Sequence, residues 1–252
     1  MEILVCGYGN IGKHLFEEIK CLQTHGHTIH IFDKYIDGYK KVDYEKYYDF
    51  VFICVPTDLC QDGSADTSAV LDSINSFKNV GVYIIKSAIP VGTCEKIGKD
   101  NVLVSPEFWG TTQHCPEQCF MILGGNKFAS DKVVQLYNKI KNGYYRYFFT
   151  DYKTAELVKY MENCWIATKV TFCNEFASIA KSYGISYSEL RELWLADKRV
   201  SPSHTLVYDD KPYFDSHCLN KDLPALITFC NENSIDVPLM KSVLDINKQL
   251  KS

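Results

Sequence analysis

The first part of the chain is punctuated by short apolar runs. Residues 2–6 (Glu-Ile-Leu-Val-Cys), 28–32 (Thr-Ile-His-Ile-Phe), 49–55 (Asp-Phe-Val-Phe-Ile-Cys-Val) and 81–86 (Gly-Val-Tyr-Ile-Ile-Lys) are four of them, and 101–104 and 119–123 read as two more. Runs this short and this apolar predict strands buried on both faces. Between the first two, Ile11, Leu15, Ile19 and Leu22 recur at near-helical spacing. Strands alternating with helices predict an α/β fold built on a doubly wound parallel sheet. After about residue 150 the texture changes. Residues 151–182 predict one long helix carrying Leu157, Met161, Ile166, Val170, Phe172 and Phe176. A second helix is expected over 186–196, an irregular stretch over 198–217, and two further helices to the end of the sequence. The expected organisation is an α/β domain over 1–150 and a smaller all-helical domain over 151–252, with no flexible linker between them.

Where the first strand gives way to the first helix lies Gly7-Tyr8-Gly9-Asn10-Ile11-Gly12, a G-x-G-x-x-G hexapeptide in the context of a Rossmann-type dinucleotide fold. Gly7 permits the tight turn, Gly9 lets a pyrophosphate approach the backbone, and Gly12 allows close helix–sheet packing. The amides around Asn10 and Ile11, at the positive end of the helix, suit phosphate oxygens. Asp33 ends the second strand, 21 residues beyond Gly12. A carboxylate there accepts from ribose hydroxyls and repels a 2′-phosphate, so NAD is expected over NADP, with Lys34 beside it softening the discrimination.

Composition narrows the picture without changing it. The 46% hydrophobic and 23% charged content is that of an ordinary globular protein. A net charge of −4 argues against nucleic acid or an anionic membrane as the main partner. No stretch reaches the roughly 18 apolar residues of a membrane span. The eleven cysteines are scattered, with no C-x-x-C, and Cys115 and Cys119 beside His114 lack a second ligand pair, so no metal site is expected. The N-terminal residues enter a strand at once without a basic leader region, which points to a reducing cytoplasmic setting. Cys6, Cys54, Cys173 and Cys230 sit in apolar runs and read as packing residues. Cys218 stands apart, in the polar stretch Tyr213-Phe-Asp-Ser-His-Cys-Leu-Asn-Lys-Asp222 just before a helix, where a helix dipole and a nearby lysine favour a reactive thiol.

A series of collinear motifs resembles the UDP-glucose/GDP-mannose dehydrogenase family. Val55-Pro56-Thr57 with Asp62-Gly-Ser-Ala-Asp66 resembles its V-P-T-P…D-G-S-x-D loop, and Lys86-Ser87-Ala88-Ile-Pro-Val-Gly-Thr93 its K-S-T-x-P-x-G-T segment. Ser105-Pro-Glu107-Phe108 is similar to N/S-P-E-F, and Ala155-Glu-Leu-Val-Lys159-Tyr-Met-Glu-Asn163 to A-E-x-x-K-x-x-x-N. Asp197-Lys-Arg199 is similar to D-x-R, and Cys218-Leu-Asn-Lys221-Asp222 to C-F-P-K-D. The resemblance implies NAD-dependent, four-electron oxidation of a nucleotide-sugar C6 alcohol to the carboxylate through a thiohemiacetal and a thioester on Cys218. It implies that Lys159 and Asn163, on one helix face, stabilise the developing oxyanion, and that Asp222 and Glu107 position or deprotonate the water. It assigns Val55, Pro56, Thr57, Ser87, Thr93 and Lys221 to the cofactor, and Phe108, Trp109, Arg199 and Phe214 to the sugar nucleotide, with Lys211 a further phosphate contact. It implies a homodimer through the helical domain.

The chain departs from the family pattern at four points. Ala88 stands where the family has a threonine, Thr111 where it has a second glutamate, and Asp215-Ser216 where it has a glycine pair. The family's C-terminal nucleotide-sugar-binding domain is expected to be absent from the 252 residues. Two other functions are therefore weighed: a catalytically impaired homologue that binds NAD or a nucleotide sugar, and a two-domain hydroxy-acid dehydrogenase. The latter has no use for a cysteine in the Cys218 setting.

Overall fold

The computed structural model describes residues 1–110, 118–141 and 143–251. Two compact units are present. The first comprises Met1–Cys60, Ala65–Phe108 and Gln118–Lys159, and the second Gln61–Ser64, Trp109–Glu117 and Tyr160–Ser252.

In the first unit, seven strands form one sheet: β1 (Glu2–Cys6), β2 (Thr28–Phe32), β3 (Tyr48–Ile53), β4 (Val80–Ile85), β5 (Val102–Val104), β6 (Phe120–Gly125) and β7 (Arg146–Thr150). Their order is β2-β1-β3-β4-β5-β6-β7. Alternate residues of the same strands feed two cores. Ile3, Val5, Phe50, Phe52, Val82 and Ile84 pack with Leu15 and Ile19 of α1 (Asn10–Ile19) and with Val133 and Leu136 of α4 (Lys127–Tyr137). Leu4, Cys6, Val51, Ile53, Tyr83 and Ile85 pack with Val70 and Ile74 of α2 (Ser68–Ser76). Burial on both faces is why these strands read as unbroken apolar runs.

The first five strands are parallel, as the pattern predicts, but β6 runs antiparallel to β5, and β7 lies parallel to β6. Apolar patterning reports which faces are covered, not strand direction, so this reversal was not anticipated. Nor was β7, whose Arg-Tyr-Phe-Phe-Thr sequence has no clear alternation and whose Phe148 and Phe149 are exposed at the sheet edge.

Beyond the sheet come four helices: α5 (Tyr152–Ser182), α6 (Tyr187–Trp194), α7 (His217–Glu232) and α8 (Pro238–Lys251). The second unit has a core of its own, formed by Cys164, Ala167, Phe214, Leu219, Leu223 and Val243. The first turns of α5 belong to the first unit. There Glu156, 1% exposed, accepts hydrogen bonds from the Gly92 and Cys94 amides at 2.6 and 2.8 Å. Those amides open the short helix α3 (Thr93–Ile97), which has no side-chain cap from its own Gly92. A distant carboxylate thus does the work of a local cap. Burial holds this carboxyl above its ordinary value, opposed by the two amides.

Replacing Glu156 with alanine leaves both amides unpaired in a dry setting. Urea unfolding of that variant is expected to show a loss of about 1–3 kcal/mol.

Candidate functional site

The glycine loop separates into glycines the fold needs and one it does not. Gly7 has φ +91° and turns the chain so closely against β3 that a Cβ would lie 2.7 Å from the Cys54 carbonyl. A Cβ on Gly12 would meet the Gly7 carbonyl oxygen at 2.0 Å. Gly9 has a negative φ and nothing within 4 Å of its Cβ position. No steric or conformational reason inside the protein therefore calls for glycine there. Gly9 is also the N-cap of α1, offers no side-chain cap, and is followed by Asn10 and Ile11 with no acidic residue in the first turn. An open approach to a helix start of this kind fits a phosphate group.

Asp33 stands beside the loop. Its carboxylate accepts from the Tyr8 amide at 2.8 Å and from the Tyr35 and Ile36 amides at 2.8 and 3.2 Å. Burial alone would raise its pKa, but these backbone donors outweigh it and hold the group below the usual carboxylate value. The neighbouring Lys34 reaches Asp72 at 3.5 Å, with both side chains well exposed.

The loops after β3 and β4 are laced together by hydroxyls. Thr57 donates to the Ala88 carbonyl at 2.7 Å, Ser87 to Val55 at 2.6 Å, and Thr93 to Pro90 at 2.6 Å. Val55 and Thr57 thus lie on either side of Pro56 in a fixed strap, with the hydroxyls' protons directed at backbone oxygens. Just beyond β5, Glu107 is 7% exposed and faces Lys86 at 3.3 Å, while its other oxygen accepts from the Phe108 amide at 3.0 Å. Lys159 places its ammonium 4.9 Å from the centroid of the Phe108 ring. The structure therefore gathers Glu107, Phe108 and Lys159 within the first unit, with Lys86, to which the sequence reading gave no role. Its signal was a lysine closing an apolar strand, which reads equally well as a solvated strand end.

In the second unit, α7 starts one residue ahead of Cys218, not after it. Ser216 caps the helix by accepting from the Leu219 amide at 3.2 Å, so Cys218 is the second helical residue and is exposed. The interior thiols differ. Burial pushes Cys6 up to about 11 and Cys164 up to about 12, which keeps both protonated and inert near neutrality. One turn beyond Cys218, Asp222 is 1% exposed. One of its oxygens accepts from Asn163 Nδ2 at 2.5 Å and the other from Lys221 Nζ at 2.6 Å. Asn163, Lys221 and Asp222 thus form one network that joins α5 to the helix that carries Cys218.

The remaining expected residues are dispersed. Phe214 is a core residue, 3% exposed, with its backbone clamped by Asn247 at 2.9 and 3.1 Å. Arg199 is exposed and paired with Asp197 of its own turn. Trp109 is half-buried. Asp215, in place of a glycine, binds Lys211, Asn220 and Lys251 at 3.1, 2.9 and 2.6 Å. Those contacts, Lys251 foremost, hold its carboxyl well below the usual range. No cluster of metal-ligating side chains occurs among the described residues, and Thr111, His114 and Cys115 lie outside them.

Residues 153–249 match the central domain of the UDP-glucose/GDP-mannose dehydrogenase family. The UDP-glucose 6-dehydrogenase of Rickettsia bellii is 29% identical over 218 residues, which is 80% of this chain and 50% of that protein. The UDP-N-acetyl-D-mannosamine dehydrogenase of Methanococcus vannielii is 28% identical over 223 residues, covering 80% and 48%. The chain spans about half the length of the curated relatives it matches. A UDP-glucose dehydrogenase structure from Pyrobaculum islandicum superimposes with a TM-score of 0.79 at 22% identity, covering 98% of this chain and 68% of that one. A UDP-D-ManNAc dehydrogenase structure from Pyrococcus horikoshii gives 0.77 at 25% identity, covering 99% and 69%.

The glycines supply a direct test. Gly12→Ala is expected to cost about 2 kcal/mol or more, because backbone must move. Gly9→Ala should change stability by less than about 0.5 kcal/mol. Thermal unfolding of the two variants reads the difference.

Proposed function

We propose that this chain, whose residues 153–249 match the central domain of the UDP-glucose/GDP-mannose dehydrogenase family, is an NAD-dependent dehydrogenase that oxidises the C6 alcohol of a nucleotide sugar to the carboxylate. The observation that carries the reading is the setting of Cys218, exposed at the start of α7 and one turn ahead of the Asp222–Asn163–Lys221 network. The helix that carries this thiol is tied to α5 through the Asp222–Asn163 hydrogen bond.

On this reading Gly9, Asn10 and Ile11 take the cofactor's pyrophosphate, and Asp33 takes its ribose. The straps carrying Val55, Pro56, Thr57, Ser87 and Thr93 flank it, with Lys221 a further contact. Bound there, NAD⁺ supplies the hydride acceptor at each of the two oxidation stages. The Cys218 sulfur adds to the carbonyl carbon of the C6 aldehyde and forms a thiohemiacetal. Oxidation of that adduct leaves a thioester, which water cleaves to the acid and the free thiol. Thiolate suits both steps, as a strong nucleophile and a tolerable leaving group. Lys159 and Asn163 stabilise oxygen charge as it develops, Asp222 and Glu107 handle the water, and Phe108, Trp109 and Arg199 shape the sugar-nucleotide site.

A second reading, a homologue that binds without turning over, is favoured by Ala88, whose methyl group cannot hold a water, and by the carboxylate of Asp215 just ahead of the nucleophile. The partner in either case is a second copy of the chain. Met161, Trp165, Phe172, Phe176 and Ile179 recur along α5 at spacings of three, four and seven, with Tyr183 just beyond its end, and all are exposed, Met161 at 70% and Trp165 at 60%. An apolar stripe of that length on a helix suits a self-complementary two-fold contact.

Incubation with UDP-glucose, UDP-N-acetylhexosamines and GDP-mannose is expected to yield about two NADH per sugar oxidised with at least one of them. Cys218→Ser should lower that rate roughly a thousandfold or more. NAD binding with no turnover on any sugar would favour the second reading. In sedimentation, the wild type is expected to run as a dimer and Trp165→Glu as a monomer.

A further inference from the structure

Lys86 closes the apolar run of β4 and is nonetheless buried, its side chain 2% exposed. Its amide donates to the Ile53 carbonyl at 2.9 Å, which fixes its backbone at the sheet's carboxyl edge. From there Nζ stands 3.3 Å from Glu107 Oε2. The other Glu107 oxygen accepts from the Phe108 amide. The Cys54 thiol at the end of β3, Tyr137 of α4 and Tyr145 ahead of β7 also lie within the reach of the Glu107 charge. Burial above all, and that charge in addition, keeps those three groups protonated, so none of them brings a positive charge to the site.

We propose that Lys86 is a positioning residue for the oxidation, holding Glu107 as a charged, proton-accepting carboxylate in one fixed orientation. A buried ion pair is a poor stability device, since apolar side chains of similar volume serve as well or better. Its value lies in fixing a charge state. A carboxylate withdrawn from water takes up a proton unless a cation stands beside it, and once protonated it cannot accept one from a substrate or water. Lys86 supplies that cation from a rigid strand end, where geometry is held better than on a loop. The same lysine orients Phe108 through Glu107, and the Phe108 ring lies under the Lys159 ammonium. Lys86 therefore acts on the site without being expected to touch the sugar.

The kinetic part of this inference rests on the dehydrogenase reading, so the test has an arm that needs no turnover. Glu107 is titrated directly by carbon NMR in protein labelled at glutamate carboxyls, with Glu107→Gln assigning the signal. Its titration is expected to move up by about one unit or more in Lys86→Met, and to return towards the wild type in Lys86→Arg. Lys86→Gln replaces the methionine variant if that one fails to fold. In turnover, the acid limb of the kcat profile should rise by the same amount, with the KM for NAD changed less than twofold. The Lys86 substitution should add nothing in a Glu107→Gln background. A Glu107 titration unmoved by loss of Lys86 overturns the proposal, as does a moved titration with an unmoved kcat profile. Absence of sugar-dependent NADH in the wild type, with the titration shifted as expected, overturns the dehydrogenase reading and supports the charge-holding role of Lys86.

Discussion

The parallel register of β1, β2, β3 and β4 is the constraint on which the first unit depends. It sends every loop that follows these strands to the same edge of the sheet, so that Gly7, Asp33, Val55 and Ser87 become neighbours although scattered along the sequence. Hydrogen bonds then lock the loops to one another: Asp33 to the Tyr8 amide, Ser87 to Val55, Thr57 to Ala88. The dinucleotide reading follows from that convergence more than from the glycine hexapeptide alone. Two of its glycines answer to packing, whereas Gly9 has open space at its Cβ position.

Much of this was legible in the sequence because the governing physics is local. Apolar runs report burial on both faces, and a backbone turn with positive φ, such as that at Gly7, favours glycine. What stayed hidden depends on non-local pairing. The reversal of β6 leaves no trace in hydrophobic spacing, and β7 is an edge strand whose Phe148 and Phe149 are exposed. Lys86 stands in a recognisable motif, but its role is hidden because its partner lies 21 positions away, across β5. Phe214, expected against a ligand, is a core residue. An aromatic residue flanked by polar ones serves either purpose, and only packing decides.

The second unit shows how a polar network can be inserted into a helical core without leaving charges stranded. Asp222 is almost fully buried, yet both of its oxygens are matched by donors from α5 and α7. Removing either donor would leave an uncompensated charge, so the three residues are energetically one group. Asp215 solves a different problem nearby. Where a glycine would leave the chain free, its carboxylate gathers Lys211, Asn220 and Lys251 at the threshold of α7.

The reversed strand pair decides the direction in which the first turns of α5 run along the sheet. A β6 parallel to β5 would bring β7 out at the same edge as the loops, and a helix leaving from there would run away from them. Because β6 and β7 point the other way, α5 sets out from the opposite edge, where the Tyr152 hydroxyl reaches the carbonyl of Val102 at the start of β5. The helix then climbs back along the sheet, about 1.5 Å per residue. Glu156 comes level with the start of α3, and Lys159 comes level with Phe108. A change of heading in two short strands is thus what carries a lysine, distant in sequence, to the edge where the loops gather.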